Sequence, residues 1–329
     1  MQKCRVLVLA VIAVSALLIA ACAKEPAPAG SGGTGGPAGG RGTGGATGTG
    51  GTRVATSQDA SIATGHDAKE YASLDGPSGC GLASAPTGVL ANQTITVGER
   101  VRTYLLSVPR SYDPSTPLAL VFAWHGNGGT GNYVRQAYAL EPAAAGGAIF
   151  VYPDGIASAG WDPSPTGLDV ALFDALLDFL TNSYCIDRNR IFSTGVSAGG
   201  YFSNLLGNCR GNVLRAIAPV AGGLVGAGSG AGKVGAWIAH ASNDDMVGFT
   251  NGEATRDWWA SQNGCSTTLE KVPVSPSGCV EYQGCLPDLP VVWCVYTEGH
   301  AWPSIANCYD GGVCFDAGPA IWAFFARFK

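Results

Sequence analysis

Residues 190–200 read Arg190-Ile191-Phe192-Ser193-Thr194-Gly195-Val196-Ser197-Ala198-Gly199-Gly200, and the fold is decided here. The apolar Ile191, Phe192 and Val196 enter a Gly-x-Ser-x-Gly turn, and an amphipathic helix begins over Tyr201–Leu206. A serine on a sharp strand-to-helix turn points its hydroxyl out of the backbone, where a base and a carbonyl can reach it. The flanking positions must be glycine because side chains there would collide with the adjacent strand and helix. Glycine makes up 49 of the 329 residues, so the five-residue pattern alone would also suit a Gly-rich turn with an ordinary serine. The strand before it and the helix after it supply the context that makes Ser197 a candidate nucleophile.

Outward from this unit, strands and helices alternate. Apolar periodicity predicts strands over 102–108, 118–124, 148–152, 190–194, 216–220, 234–240 and 290–296. Helices are predicted over 133–145, 169–183, from Ser197 onward, 252–262 and 319–328, the last with Pro319 in its first turn. Val170, Phe173, Leu176, Leu177 and Leu180 form one apolar stripe of the 169–183 helix. Such alternation implies a mostly parallel central sheet with helices on both faces, an α/β fold. In these sheets a site lies beyond the carboxyl ends of the strands.

The N-terminal segments read differently. Residues 1–22 have the pattern of an export signal: Lys3 and Arg5 precede an apolar run, Val6–Ala21, that is shorter than the about 20 residues a membrane span needs. Ile19-Ala20-Ala21-Cys22 resembles a bacterial lipoprotein signal, which makes Cys22 a candidate lipidation site and the cell envelope the expected location, with simple cleavage near Ala21 and secretion as the alternative. Residues 23–76 read as a tether: 30–51 is almost wholly Gly, Thr, Ala and Ser and cannot bury enough apolar surface to offset the entropy of ordering it. Residues 77–329 have the composition of one globular catalytic domain. A net charge of −5, only 13% charged residues and the lack of a basic run argue against a nucleic-acid partner. Of 11 cysteines, nine fall in the globular region, a density that suits disulfides in an oxidising compartment. No Cys-x-x-Cys pair occurs, so no metal site is expected. Cys185 and Cys209 flank the Ser197 unit and are read as a plausible bridge, and the odd number leaves one thiol over.

A serine nucleophile needs a base, and the base an orienting carboxylate. His66 lies in the tether, His125 follows the 118–124 strand, and His240 ends the 234–240 strand. In serine enzymes built on an open α/β sheet the acid follows the serine and the histidine comes last, an order that only His300 satisfies. The loop after His240 supplies two candidate acids, Asp244 and Asp245. Oxyanion donors are expected from the N–H of Ala198, next to the nucleophile, and the N–H of Asn127 in His125-Gly126-Asn127. A phosphate cradle is the competing reading of that Gly-rich loop, but it lacks the Lys and Ser/Thr of a P-loop. Trp161 and Trp302 fall on loops at the same end of the sheet and are candidate substrate contacts.

Several motifs occur together and in order: Ser78-Gly-Cys-Gly, Trp124-His-Gly-Asn-Gly-Gly, Val151-Tyr-Pro-Asp-Gly, Tyr184-Cys-Ile-Asp, Thr194-Gly-Val-Ser-Ala-Gly-Gly, Ala218-Pro-Val-Ala-Gly, Trp258-Trp-Ala-Ser-Gln-Asn-Gly-Cys-Ser, Val291-Val-Trp-Cys and Gly299-His-Ala-Trp-Pro. They resemble the secreted esterases of the polyhydroxybutyrate-depolymerase and feruloyl-esterase group, in carbohydrate esterase family one. The resemblance implies an α/β-hydrolase fold and a Ser197–Asp244–His300 triad working through an acyl-enzyme without cofactor or metal. It selects Asp244 because the family's acid stands four residues after the histidine of a His-Gly-Thr-x-Asp loop. This chain departs from that loop with Ala241, Ser242 and Asp245, and has Glu298 where glycine is common. The implied substrate is an ester carried on a polysaccharide or polymer. Hydroxycinnamoyl esters of plant polysaccharide are favoured by the Ser78-Gly-Cys-Gly and Val-Val-Trp-Cys stretches, with acetyl-xylan and polyhydroxybutyrate as alternatives. An amide-cleaving enzyme is disfavoured because no repeat domain is present to gate peptides. A non-catalytic surface-binding lipoprotein on the same scaffold would be expected to lose a triad member, and none is lost.

Overall fold

The computed structural model describes residues 79–82, 85–156, 160–228, 232–308 and 311–329. The export signal with Cys22, the tether with His66, and Ser78 lie outside the described residues.

Ten strands form one sheet: β1 (Gly88–Val97), β2 (Arg100–Val108), β3 (Leu118–Trp124), β4 (Ala148–Pro153), β5 (Ile186–Val196), β6 (Ala216–Val220), β7 (Gly235–Ala241), β8 (Val272–Val274), β9 (Cys279–Glu281) and β10 (Val291–Tyr296). Their order is β1-β2-β4-β3-β5-β6-β7-β10-β9-β8. The six inner strands from β4 to β10 run parallel, and antiparallel pairs close both edges. The helices are α1 (Gly131–Ala137), α2 (Leu140–Ala144), α3 (Leu168–Ser183), α4 (Ala198–Cys209), α5 (Phe249–Gln262) and α6 (Ala317–Phe325).

Strand side chains alternate between faces, so a strand covered on both sides must be apolar throughout. In β3, Leu120, Phe122 and Trp124 enter the core beneath α3, α4 and α5, together with Phe173, Phe202 and Trp259. Ala119, Val121 and Ala123 enter the opposite core with Tyr138, Leu140, Phe324 and Phe325 of the α1, α2 and α6 side. The small residues on that second face let the helices approach closely.

Two expectations are corrected, and an unexpected edge strand is added. The single helix over 133–145 is two helices separated by Ala139 in the left-handed region (φ 53°). Pro142 accounts for the break, since its ring in a continuous helix would meet the carbonyl of Tyr138 and remove a backbone donor. The edge strand β1, unread in the sequence, carries a register shift between Leu90 and Gln93 that interrupts its alternation. The Cys185–Cys209 bridge does not form: Cys185 pairs with Cys80, and Cys209 is a buried free thiol at the end of α4. The remaining bridges are Cys265–Cys285, Cys279–Cys294 and Cys308–Cys314, so one cysteine of the nine is left over, as the odd number required.

Candidate active site

The strand ends fix the site. β5 ends at Val196, and Ser197 turns the chain into α4 with φ 55° and ψ −122°, a strained conformation for a residue with a side chain. Two glycines allow the turn. A Cβ on Gly199 would strike the Trp124 carbonyl of β3, and one on Gly195 would lie 2.7 Å from Gly199 and Trp124 backbone atoms. The Ser197 N–H is spent on Val220 O at 3.0 Å. The Ala198 N–H is therefore the first of the donors that a helix start leaves without an intrahelical partner.

The turn after β3 lies over this elbow: a Cβ on Gly126 would stand 3.4 Å from Ser197 Cβ. Ala198 and Asn127, read from sequence as oxyanion donors, meet around Gly160, where a Cβ would be 3.1 Å from Ala198 Cβ and 3.6 Å from Asn127 Oδ1. His125 holds that turn from behind. Its ring is buried, its Nδ1–H donates to Gly126 O at 2.7 Å, and its Nε2 accepts the Gly155 N–H at 2.9 Å. This pattern is complete only for the neutral ring.

β7 and β10 are parallel neighbours, and the loops beyond them carry the acid and the histidine. His300 Nδ1–H donates to Asp244 Oδ2 at 2.8 Å. Asp244 Oδ1 accepts the N–H groups of Met246 at 3.0 Å and Val247 at 2.8 Å. Asp245 is exposed and points to no histidine, so of the two sequence candidates it is Asp244 that meets His300. Asn243 ties the two loops together, donating to Thr297 O at 3.1 Å and accepting the Gly299 N–H at 2.9 Å. Glu298, also on the histidine loop, accepts the Ser304 N–H at 2.9 Å, and burial pushes its carboxyl above the usual range.

Two residues that the sequence reading left unassigned join this arrangement. His240 is fully buried, donates from Nε2 to Val247 O at 2.7 Å and lies 3.4 Å from Asp244 Oδ2, so it braces the acid loop from below. Its place four residues before Asp244 was the available signal. Tyr138, also buried, donates its hydroxyl to Trp124 O at 3.1 Å and accepts the Val196 N–H at 3.2 Å, joining the ends of β3 and β5. Its ring stacks on Trp302, with centroids 3.6 Å apart and planes 4° from parallel. One side chain thus touches the end of β3, the elbow and the segment after His300. Nothing in the local sequence marks it. Tyr138→Phe keeps the stack and removes both hydrogen bonds. A kcat about tenfold lower with KM within twofold is expected from steady-state kinetics, because misplacement of reacting groups costs rate before binding.

The two candidate substrate tryptophans separate. Trp302 stays at the partly exposed rim. Trp161 is corrected to a core residue: it is 8% exposed, its Nε1–H donates to His125 O at 2.8 Å, and its ring packs between Trp124 and Phe202. A tryptophan with its one donor satisfied is stable in an apolar core.

Burial lowers the pKa of both His125 and His240, outweighing the hydrogen bonds to Gly126 and Val247 that act the other way. A depressed folded value means that the unfolded chain binds protons first as the pH falls. The stabilisation is therefore fully present above the unfolded value of about 6.5 and is lost as pH falls through the folded value. Melting temperature followed from pH 8 to pH 5 is expected to hold level and then decline below about pH 6.5. A level profile down to pH 5 would contradict neutral buried rings.

A serine elbow after a central parallel strand, with an acid and a histidine on loops of later neighbouring strands, defines an α/β-hydrolase. No protein-family profile matches the chain. It is 34% identical over 271 residues to Feruloyl esterase D of Neurospora crassa, covering 77% of this chain and 90% of that protein. It is also 34% identical over 238 residues to Feruloyl esterase C of Emericella nidulans, covering 68% and 83%. Among solved structures, the acetyl xylan esterase from Aspergillus awamori shares the fold with a TM-score of 0.58 at 16% identity, over 72% of this chain and 99% of that one. The chain belongs to the feruloyl esterase family, and is a serine carboxylic-ester hydrolase.

Proposed function

We propose that Ser197, His300 and Asp244 form the catalytic triad of an esterase acting on hydroxycinnamoyl esters of plant polysaccharide. The observation that carries the triad is the 2.8 Å bond from His300 Nδ1 to Asp244 Oδ2 at the end of the sheet that bears the Ser197 elbow. That bond fixes the tautomer in which His300 Nε2 is bare and able to take the Ser197 proton. The alkoxide attacks the ester carbonyl, and the N–H groups of Ala198 and Asn127 receive the developing oxyanion. His300 returns its proton to the departing alcohol, and then deprotonates the water that releases the acid. Asp244 stays ionised throughout and stabilises the imidazolium. The residues present complete this chemistry without metal or cofactor.

The hydroxycinnamoyl assignment is supported by the two feruloyl esterase relatives; acetyl-xylan and polyhydroxybutyrate are the other readings within the same chemistry. The Cys22 signal supports export with a lipid anchor, and four disulfides suit an oxidising extracytoplasmic setting. Initial rates on methyl ferulate, p-nitrophenyl acetate and a polyhydroxybutyrate film decide the substrate. Turnover of the ferulate ester is the expected result. Turnover of acetate or polymer alone would discard the hydroxycinnamate assignment and keep the triad. If no ester is cleaved and a fluorophosphonate fails to label the protein, the triad reading is wrong as well.

A further inference from the structure

The geometry points to a second, polar part of the site: an open groove between the β1–β2 hairpin and the 128–132 turn that seats the sugar end of the substrate, a neutral saccharide chain. This rests on the ester-hydrolase reading of Ser197. The groove has a volume of about 710 Å³, and its walls include Asn92, Thr103, Thr130, Asn132 and Asp154. That size falls in the range of about 300–1,000 Å³ usual for small-molecule sites. It starts one residue beyond Asn127, and its floor includes Gly155, whose N–H holds the His125 ring. A chain lying in it would lead directly to the oxyanion turn.

The lining selects the ligand. No cation lines the groove, and its one carboxylate, Asp154, already accepts the Gly131 N–H and the Thr103 hydroxyl, both at 2.8 Å. An anionic ligand would find no partner there. The walls mix the apolar surface of Ala91, Tyr104 and Leu105 with hydroxyl and carboxamide groups, a combination that can meet both the C–H faces and the hydroxyls of a sugar. Sugar hydroxyls both donate and accept, as carboxamides do. Asn92 and Asn132 are exposed, and their side chains form no hydrogen bond among the described residues. The β1 bulge takes Ala91 and Asn92 out of the ladder with β2, and both line the groove. Asn92 does so at φ 52°, a conformation that asparagine tolerates better than most residues. An edge strand is thus interrupted at the point where it delivers a free carboxamide beside the site.

The test compares a feruloylated arabinoxylo-oligosaccharide with methyl ferulate, using wild type, Asn92→Gly, Asn132→Ala and the double variant. Glycine at position 92 preserves the left-handed backbone and removes only the carboxamide. Wild type is expected to favour the oligosaccharide through a lower KM. The double variant is expected to raise KM for the oligosaccharide about tenfold with kcat retained, and to leave methyl ferulate within twofold. Equal losses on both substrates would mean a structural role, and no change on either would mean an unused groove; both overturn the proposal. Retained hydrolysis of methyl ferulate in the variants would leave the triad reading standing, whereas failure of wild type on every ester would remove that reading first.

Discussion

Ser197→Ala is expected to lower kcat on any ester substrate on the order of 10⁵-fold, with KM little changed and fluorophosphonate labelling abolished. The proposed alkoxide nucleophile disappears, while the proposed oxyanion donors and the binding surfaces remain. The residual rate should lie about 10³–10⁴ above water alone, from those donors and from orientation. The N–H groups of Ala198 and Asn127, proposed as the oxyanion donors, lie beside the ends of β5 and β3, and His125 holds the second of these turns, so alanine should leave them in place. The variant should also fold normally, and relief of the positive-φ position should not change this, because alanine is no easier there than serine. A Ser197→Ala protein retaining more than a hundredth of wild-type kcat would remove the serine from the mechanism. Asp244→Asn, which keeps the shape and disturbs the His300 tautomer, is the companion measurement and should cost about 10⁴-fold.

The largest stability effect is expected at Asp169. This carboxylate, at the start of α3, meets Arg102 of β2 at 2.7 Å, with both side chains 4% exposed. Arg102 also donates to Asp154 O at 3.0 Å, and Asp169 accepts the Asp162 N–H at 2.6 Å. The pair therefore ties the edge of the sheet to the loops beyond β4 that carry Gly155 and Trp161. Asp169→Ala leaves a guanidinium in the interior without its counter-charge, at a cost of about 3–5 kcal/mol. For a domain of this size that corresponds to a fall in melting temperature of about 10 °C, measured calorimetrically. The pair is not itself a large net source of stability, because desolvation offsets most of the attraction. Arg102→Met combined with Asp169→Leu should accordingly recover much of what Asp169→Ala loses. If the double variant melts as low as Asp169→Ala, packing rather than the orphaned charge is responsible.

What was legible in the sequence follows from the range of the interactions. Strands β3, β5, β6 and β10 and helix α3 are local periodic patterns whose burial is dictated by two covered faces, and they could be read directly. Ser197 was legible because an elbow needs its glycines at fixed offsets. His300 was singled out by the order of serine, acid and histidine along the chain. The resemblance to known esterases singled out Asp244, and the structure brings it, rather than Asp245, against His300. The missed features depend on partners distant in sequence. Tyr138 is remarkable only for touching Trp124, Val196 and Trp302 together, and the side on which Trp161 lies depends on a carbonyl at His125. Strand β1 was hidden by its own bulge, and the break at Ala139 lay in the unread consequence of Pro142.

The unpaired Cys209 has a consequence for how the oxidised chain must be made. Cys185 and Cys209 are separated by 24 residues in sequence, whereas the bridge that forms spans 105. Loop-closure entropy alone favours the shorter, wrong ring by about 1.3 kcal/mol, or about ninefold. The native bridge must therefore be selected by packing, which sets Cys80 against Cys185. In the folded chain α4 carries the Cys209 sulfur into the core, where burial raises its thiol pKa and makes it a poor attacker. Once the native bridge is in place, the core thus shields the leftover thiol from exchange with it.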